Sequence, residues 1–495
     1  MKRKHSASRA TPPDPAGEML TRLQNLVPEG QLPLLLDEMS RPLPTSFRIN
    51  PLKIDPANAL RDWPRRYGWE VEAIPFCPLG YRVWGGSALP SQTVEHRMGL
   101  FYIQDAASML PPELFDLDAA APGLTLDLAA SPGGKTTHLL SRTGDRGMLI
   151  ANDSSADRIT ALKIVLQTWG GISTVVSRFP GERFGRWFPE VFDRVLLDAP
   201  CSMQGLRVGE SHPLRSITMR EVSRLAERQL SLLTSALQAV QVGGQVVYST
   251  CTLMPEEDEA VLDALLKQFP GRVEISDLSH RLPSPAPALH ADGDRRFDPQ
   301  LTRAARLWPH TYRTAGFFAA RLVKVDSLPL PTEDAPFRPL SLTGFEPLSA
   351  ADARPLTEAL LDNYGFDLAS FQENYDAGLL RHKTRVYAIP GLFLERFSGF
   401  PVQAAGLLAA EETPDGWQVS HEWAARFHHL FTDGWVEISE EHSQRWLAGE
   451  DLPLSSLNRN PSIAALIVRD ASGRYLGRGK VVQERLRNLL PRRLL

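Results

Sequence analysis

The feature that most constrains this chain is an alternation of short apolar runs with stretches of helical spacing. Six such runs follow one another between residues 125 and 325: TLDLAA, MLIAND, STVVS, RVLLDAP, QVVYSTC and FFAARLVKV. This order predicts a parallel sheet flanked by helices, because parallel neighbours need long crossovers and each crossover helix must bury one apolar face. Between the fourth and fifth runs, Met219 to Val240 carries Val222, Leu225, Ala226, Leu232, Leu233, Ala236, Leu237 and Val240 at helical spacing, so this helix is assigned to covering the sheet. The predicted fold class is α/β, with a doubly wound, Rossmann-like core.

In such a sheet, ligands bind beyond the carboxyl ends of the strands. The first strand end reads TLDLAASPGGKTTHLL, Thr125 to Leu140, in which Ala129, Ala130, Ser131, Pro132, Gly133 and Gly134 form a small-residue turn ahead of Lys135. Such a turn lets backbone N–H groups approach a ligand closely. Gly134-Lys135-Thr136 has the ending of a phosphate-binding P-loop, but that loop also needs a glycine five places before the Gly-Lys pair, where Ala129 stands. The competing reading is the first loop of an S-adenosylmethionine-dependent methyltransferase. It predicts an acid at the end of the next strand, about 20 residues on, to accept hydrogen bonds from ribose hydroxyls. Asp153 closes MLIAND at that place.

Two further strand ends carry thiols. RVLLDAPCS places Asp198 and Cys201 past the fourth strand, and VVYSTCT places Cys251 at the end of the fifth. Either cysteine alone reads as a small buried hydrophobe. Two of them at neighbouring strand ends, one preceded by Asp-Ala-Pro, point to thiols that face the ligand. A methyltransferase needs thiols when the acceptor is carbon 5 of a pyrimidine, a poor nucleophile. Thiolate addition at carbon 6 makes carbon 5 electron-rich. The charge that develops needs a proton or hydrogen bond at the N3 side of the ring, a task suited to Asp198. A second cysteine can assist release of the product.

DLAASPGGKTTHLL, ANDSSADR, LLDAPCS and VVYSTCTLMPEEDEAV, with FRINPLK and FYIQDAASMLP upstream and RLWPHTYRTAGFFAARLVK downstream, resemble the signatures of the Sun/Nop-type RNA cytosine-5 methyltransferases. The likeness spans about residues 40 to 325. GRGKVVQERLRNLLPRRL, with VYAIPGL ahead of it, is similar to the PUA-like extension of bacterial ribosomal small-subunit members. The resemblance implies S-adenosylmethionine as cofactor and 5-methylcytidine in 16S ribosomal RNA as product, with ribosomal RNA in the assembled small subunit as partner. It further implies that Cys251 is the nucleophile, that Cys201 aids release, and that Asp198 contacts the base beside the cofactor. Ala129 through Lys135 would wrap the cofactor, with Asp153 on its ribose. Two residues depart from the family pattern: Pro180 where an aspartate is usual near the adenine, and Met203, followed by an altered basic stretch, where a glycine is usual. Pro255 and Glu256 to Glu259 are expected to open a helix whose N-terminus suits acids, without a catalytic role.

A chain of 495 residues exceeds one ordinary core, so several domains are expected. The expected division is a disordered tail at 1–17, an N-terminal RNA-binding α/β domain at 18–95, the methyltransferase core at 96–325 and a linker at 326–335. A small mixed segment at 336–390 and a β-rich, PUA-like RNA-binding module at 391–495 follow. Gly99 to Asp116 reads as a strand and helix leading into the main sheet. In SFRINPLKI, Arg48, Asn50 and Lys53 are read either as phosphate contacts or as a solvated edge strand. Arg474, Arg478, Lys480, Arg485, Arg487, Arg492 and Arg493, set against Glu484, point to an RNA-binding surface, which the acids at 437–441 cannot be.

The net charge of −4 excludes a protein coated in positive potential, so nucleic acid must be met by local patches. The three cysteines are too few and too badly spaced for a disulfide scaffold or a zinc site, and no metal is expected. No run of about 18 apolar residues and no secretion signal is present, which predicts a cytoplasmic protein without membrane contact. Two alternatives stay open: the same chemistry on transfer RNA, and a non-catalytic ribosome assembly factor that keeps the fold.

Overall fold

The computed structural model describes residue 22 and residues 24–117, 123–205, 217–457, 463 and 465–494. The expected tail at 1–17, the basic stretch after Met203 and the side chain of Arg493 lie outside the described residues. Near the N-terminus, α1 (Leu32–Met39) and α2 (Pro56–Tyr67) accompany an antiparallel sheet of β1 (Thr45–Ile49), β2 (Glu70–Ile74), β3 (Cys77–Trp84) and β4 (Phe101–Ile103), in the order β2-β3-β1-β4. Phe47, Ile49, Trp63, Trp69 and Phe101 form its core.

Two expectations for this region are corrected. A strand, Phe101–Ile103, and a short helix, Leu110–Glu113, do precede the main sheet, but the strand pairs with β1, so a boundary at residue 95 would cut through this sheet. β1 is an interior strand, and Arg48, Asn50 and Lys53 are engaged in internal hydrogen bonds. Arg48 and Asn50 are fully buried; Arg48 donates to the Gly134 carbonyl at 3.0 Å and Thr137 Oγ1 at 2.8 Å, and Asn50 donates to the carbonyls of Gly99 and Trp169. Lys53 Nζ donates to the carbonyls of Met98 and Thr168. A buried strand with polar ends reads in sequence like an exposed one, because both alternate.

The core follows as β5 (Leu124–Asp127), α3 (Gly134–Arg142), β6 (Met148–Asn152), α4 (Ala156–Trp169), β7 (Thr174–Ser177), β8 (Phe192–Asp198), α5 (Met219–Ala239), β9 (Val240–Thr250), α6 (Glu259–Gln268), β10 (Val273–Ile275), β11 (Ala305–Leu307) and β12 (Phe317–Lys324). The sheet order is β10-β12-β9-β8-β5-β6-β7, with β11 paired to β12. β5 to β9 are parallel. β12, expected as a sixth parallel strand, runs antiparallel to β9. Its apolar run reports burial on both faces, and burial carries no information on direction. The long helix between the fourth and fifth strands is present as α5, opened by a capping box of Thr218 and Glu221. The chain winds outward from β5 in both directions, which puts the topological switch point between β5 and β8.

Beyond the core, five strands form one sheet in the order Glu346–Pro347, Ala377–His382, Arg385–Pro390, Leu407–Thr413, Gly416–Val419. Five more form another, ordered Trp435–Ile438, Ala465–Asp470, Tyr475–Val482, Arg485–Asn488, Leu452–Pro453. The division at residue 390 is therefore corrected, because Arg385–Pro390 pairs across it with Leu407–Thr413. The pair Ala404–Ala405 adds antiparallel to β7 and covers that edge of the main sheet.

Candidate active site

At the switch point, three strand ends bring their loops together. After β5 the chain turns through Ala129–Gly134 into α3. Gly133 has φ +113°, and a Cβ there would meet Val165 and Leu162 at 3.0 and 3.1 Å, so the turn needs a glycine. Lys135 does not project as a phosphate-binding lysine does. Its Nζ lies 2.6 Å from Asp198 Oδ2 and 2.9 Å from Ser108 Oγ, and the other oxygen of Asp198 accepts from Ser249 Oγ at 2.8 Å. Asp198 is thus tied to the first loop and to β9 at once.

Ala129, Ala130, Ser131, Pro132, Gly134, Lys135 and Asp198 line a cavity of about 210 Å³ together with Tyr102, Ile103, Gln104, Ser108 and Asp127. A second, of about 370 Å³, shares Ala129 and Asp198 and runs past Asp153, Arg158 and Gly181 to Cys201, Met203 and Cys251. Asp153 accepts from Ser155 N at 2.9 Å and Ser131 N at 3.3 Å. All the residues predicted from sequence for the site, apart from Gly133 behind the turn, line one of these two adjoining cavities.

Cys201 and Cys251 stand side by side, Sγ to Sγ at 3.3 Å, both half-buried. The hydrogen bond with Cys251, then burial, pushes the Cys201 thiol well above its ordinary range. Asp127 was not singled out from sequence. It is buried, accepts from Thr136 Oγ1 at 2.7 Å through Oδ2, and its Oδ1 has no hydrogen-bond partner among the described residues. Burial, then the charge of Asp198, raises its carboxyl to about 7. The other residues missed were Tyr102, Gln104, Ser108 and Arg158. The signal for the first three was FYIQDAAS itself, which the likeness marks but which is read as a strand and helix ahead of the main sheet, without a role in the site.

Pro180 lies beside Gly181 at the wall of the second cavity, and Met203 has φ +59°, a backbone region that favours the glycine expected there. The third cysteine, Cys77, is buried 3.8 Å from His138 Nε2, which in turn lies 2.8 Å from Glu113. Burial pushes the Cys77 thiol to about 12 and the His138 imidazole down to about 4, and Arg142 pairs with Glu113 at 3.2 Å. Cys77, His138 and Glu113 form a buried polar network between β3, α3 and the short helix Leu110–Glu113.

The pattern described as 16S rRNA methyltransferase RsmB/F matches residues 116–323, and that of the N-terminal domain of 16S rRNA methyltransferase RsmF matches 16–106. Ribosomal RNA small subunit methyltransferase F of Aeromonas salmonicida (strain A449) is 33% identical over 462 residues, covering 92% of this chain and 91% of the relative. The chain belongs to the ribosomal RNA small subunit methyltransferase F family. The relative of the same name from Klebsiella pneumoniae (strain 342) is 34% identical, over 92% of this chain and 91% of that one. Among solved structures, a methyltransferase homolog protein from Pyrococcus horikoshii aligns with TM-score 0.54 and 29% identity, over 62% of this chain and 99% of its own. NSun6 from P. horikoshii with SFG, at 19% identity and TM-score 0.53, shares the fold. This member of the methyltransferase F family is thus a methyltransferase, and its cofactor is S-adenosylmethionine. The cleft fits that cofactor: Gly134 on the wall of the first cavity, where a Cβ would meet Tyr102 at 3.0 Å, an unpartnered carboxylate oxygen on Asp127 for a cationic amino group, and Asp153 beside the second cavity.

Proposed function

We propose that this protein methylates carbon 5 of cytidine in 16S ribosomal RNA of the small subunit, through a transient covalent bond between Cys251 and the base. The single observation that carries this reading is the pair of thiols 3.3 Å apart at the end of the cofactor cleft. A methyltransferase that acts on an amine or a hydroxyl needs neither sulfur. The names of the relatives, which specify ribosomal RNA of the small subunit, support the choice of RNA.

Ala129–Lys135 and Asp127 would hold the methionine part of the cofactor, with Asp127 Oδ1 facing its ammonium, and Asp153 would take the ribose hydroxyls. When bound, the cofactor supplies an electrophilic methyl on a sulfonium. The Cys251 thiolate would add to carbon 6 of the cytosine, making carbon 5 electron-rich; that carbon would take the methyl from the cofactor, the methyl–sulfur bond breaking with the pair kept on sulfur as a neutral thioether. Asp198, with Lys135 as its proton partner, stabilises the charge that develops at the N3 side of the ring. Solvent water entering the open cleft would take the carbon 5 proton, the C5–H pair would restore the ring double bond, and the carbon 6–sulfur pair would return to Cys251 as thiolate. Cys201, beside the leaving sulfur, assists this release. The strands beyond residue 390 are read as a PUA-like module that holds RNA around the target.

The test is methylation of small subunits by two variants. Cys251→Ala is expected to lose activity by about 10³-fold or more, as removal of a covalent nucleophile does. Cys201→Ala is expected to trap a denaturant-resistant protein–RNA adduct, visible as a gel shift. Undiminished methylation by Cys251→Ala sinks the reading.

A further inference from the structure

Behind the two thiols lie three consecutive acids that a helix N-terminus does not account for. Glu257, Asp258 and Glu259 are all fully buried. Asp258 and Glu259 share a cation, because Arg306 donates to Glu259 at 2.9 Å and to Asp258 at 3.3 Å. Glu257 is different. Among the described residues no cation pairs with it, and its carboxylate is held by neutral donors.

Those donors flank Cys201. Ser202 N–H donates to Glu257 Oε1 at 2.9 Å, and Ser202 O–H donates to Oε2. Gln229 Nε2 donates to Oε1 at 3.0 Å and, at 2.9 Å, to the carbonyl of Pro200. Residues on both sides of Cys201 are therefore tied to one carboxylate, directly at 202 and through Gln229 at 200. The acid is also fixed to the strand that ends in Cys251. Tyr248 O–H donates to the Glu257 carbonyl at 2.6 Å, and Thr250 Oγ1 donates to the neighbouring Asp258 at 2.5 Å.

A buried carboxylate without a cation is costly, and a neutral side chain of the same size would be cheaper to bury. What the carboxylate supplies here is acceptor capacity: it receives Ser202 N–H and Gln229 Nε2 on one oxygen and Ser202 O–H on the other, whereas a glutamine amide accepts on one oxygen only and would turn the Ser202 hydroxyl away. We infer that Glu257 is a positioning residue, whose carboxylate locks the Pro200–Ser202 segment so that Cys201 stands against Cys251. Its effect falls on release of the methylated base rather than on formation of the bond to it, an assignment that rests on the roles given above to the two cysteines.

The test is Glu257→Gln in the full chain, with Ser202→Ala as a milder variant that keeps the Ser202 N–H. The first readout is the rate at which diamide closes a Cys201–Cys251 disulfide, followed by peptide mass spectrometry; each thiol loses one hydrogen and the diazene takes up both. Misplacement by about 1 Å is able to slow a proximity-dependent step about 100-fold, so the rate is expected to fall at least about tenfold in Glu257→Gln and less in Ser202→Ala. The second is single-turnover methylation: the burst is retained, the adduct persists, and kcat falls without a rise in KM. A folded Glu257→Gln with wild-type disulfide and release rates overturns the inference, as does equal loss of adduct formation and release. If Cys201→Ala traps no adduct, the release role of Cys201 has failed, and the disulfide rate alone decides whether Glu257 positions the thiol.

Discussion

Asp127 shows what one residue adds to the cleft. Its carboxyl is raised to about 7 by burial and then by Asp198, so it binds its proton more tightly in the folded chain than in the unfolded one. Stability from that proton is fully present below the ordinary aspartate range and is lost as pH rises through it toward 7. A cationic cofactor beside Oδ1 favours the ionised form, so binding near pH 6 must expel a proton. S-adenosylmethionine affinity is therefore expected to rise between pH 6 and pH 8, with proton release seen by calorimetry in buffers of different ionisation enthalpy. Asp127→Asn is expected to flatten that slope; a pH-independent wild type would contradict the assignment. Asp127 escaped the sequence reading because it closes an apolar strand, and only the third dimension shows which of its oxygens has no partner. The placement of Cys201, Cys251 and Asp198 around one cavity was legible because strand ends in a parallel sheet share one side. Glu257 was not, since acids before a helix have a sufficient local explanation.

At the scale of elements, β1 and α3 are joined through a buried guanidinium. Arg48 donates to the Gly134 carbonyl and Thr137 Oγ1 and lies 4.7 Å from the centroid of the Trp169 ring, on α4. Burial lowers its affinity for the proton to about 10, a measure of how dry the junction is. Arg48→Met removes hydrogen bonds to a charged group, so urea unfolding should show a loss of at least about 2 kcal/mol. Because Gly134 opens the helix after the cofactor turn, calorimetric titration should also show weaker cofactor binding. Unchanged affinity in a folded Arg48→Met would mean that the N-terminal sheet does not brace the turn. The strands of the core were legible from apolar runs and their spacing, whereas the direction of β12 and the partner of β4 were not. Apolar pattern reports which faces are covered, and pairing is set by connections that leave no mark in composition.

At the scale of the molecule, the C-terminal strands are not an appendage. Phe397 and Phe400 pack against Phe188 at centroid distances of 5.5 and 5.2 Å, and Phe400 lies 5.1 Å from Phe179. Arg474 pairs with Glu95 at 2.9 Å, and Arg478 donates to the Val419 carbonyl, so part of the basic stretch read as an RNA surface serves internal contacts. Arg485, Arg487 and Arg492 remain exposed. Motifs along the chain could mark where modules begin, but not that apolar residues between 380 and 400 join the core of the methyltransferase sheet. Since Leu380, Ile389, Phe393, Phe397 and Phe400 share a cluster with Phe184 and Phe192, the catalytic and C-terminal parts are expected to unfold together. Phe400→Ala, which truncates a side chain only 5% exposed, should lower stability by about 3–5 kcal/mol. The decisive measurement is urea unfolding followed by tryptophan fluorescence and by far-ultraviolet circular dichroism. One coincident transition, moved as a whole by Phe400→Ala, is the expected result. Two separated transitions, only the later one unmoved by the substitution, would show that the aromatic seam does not couple the parts.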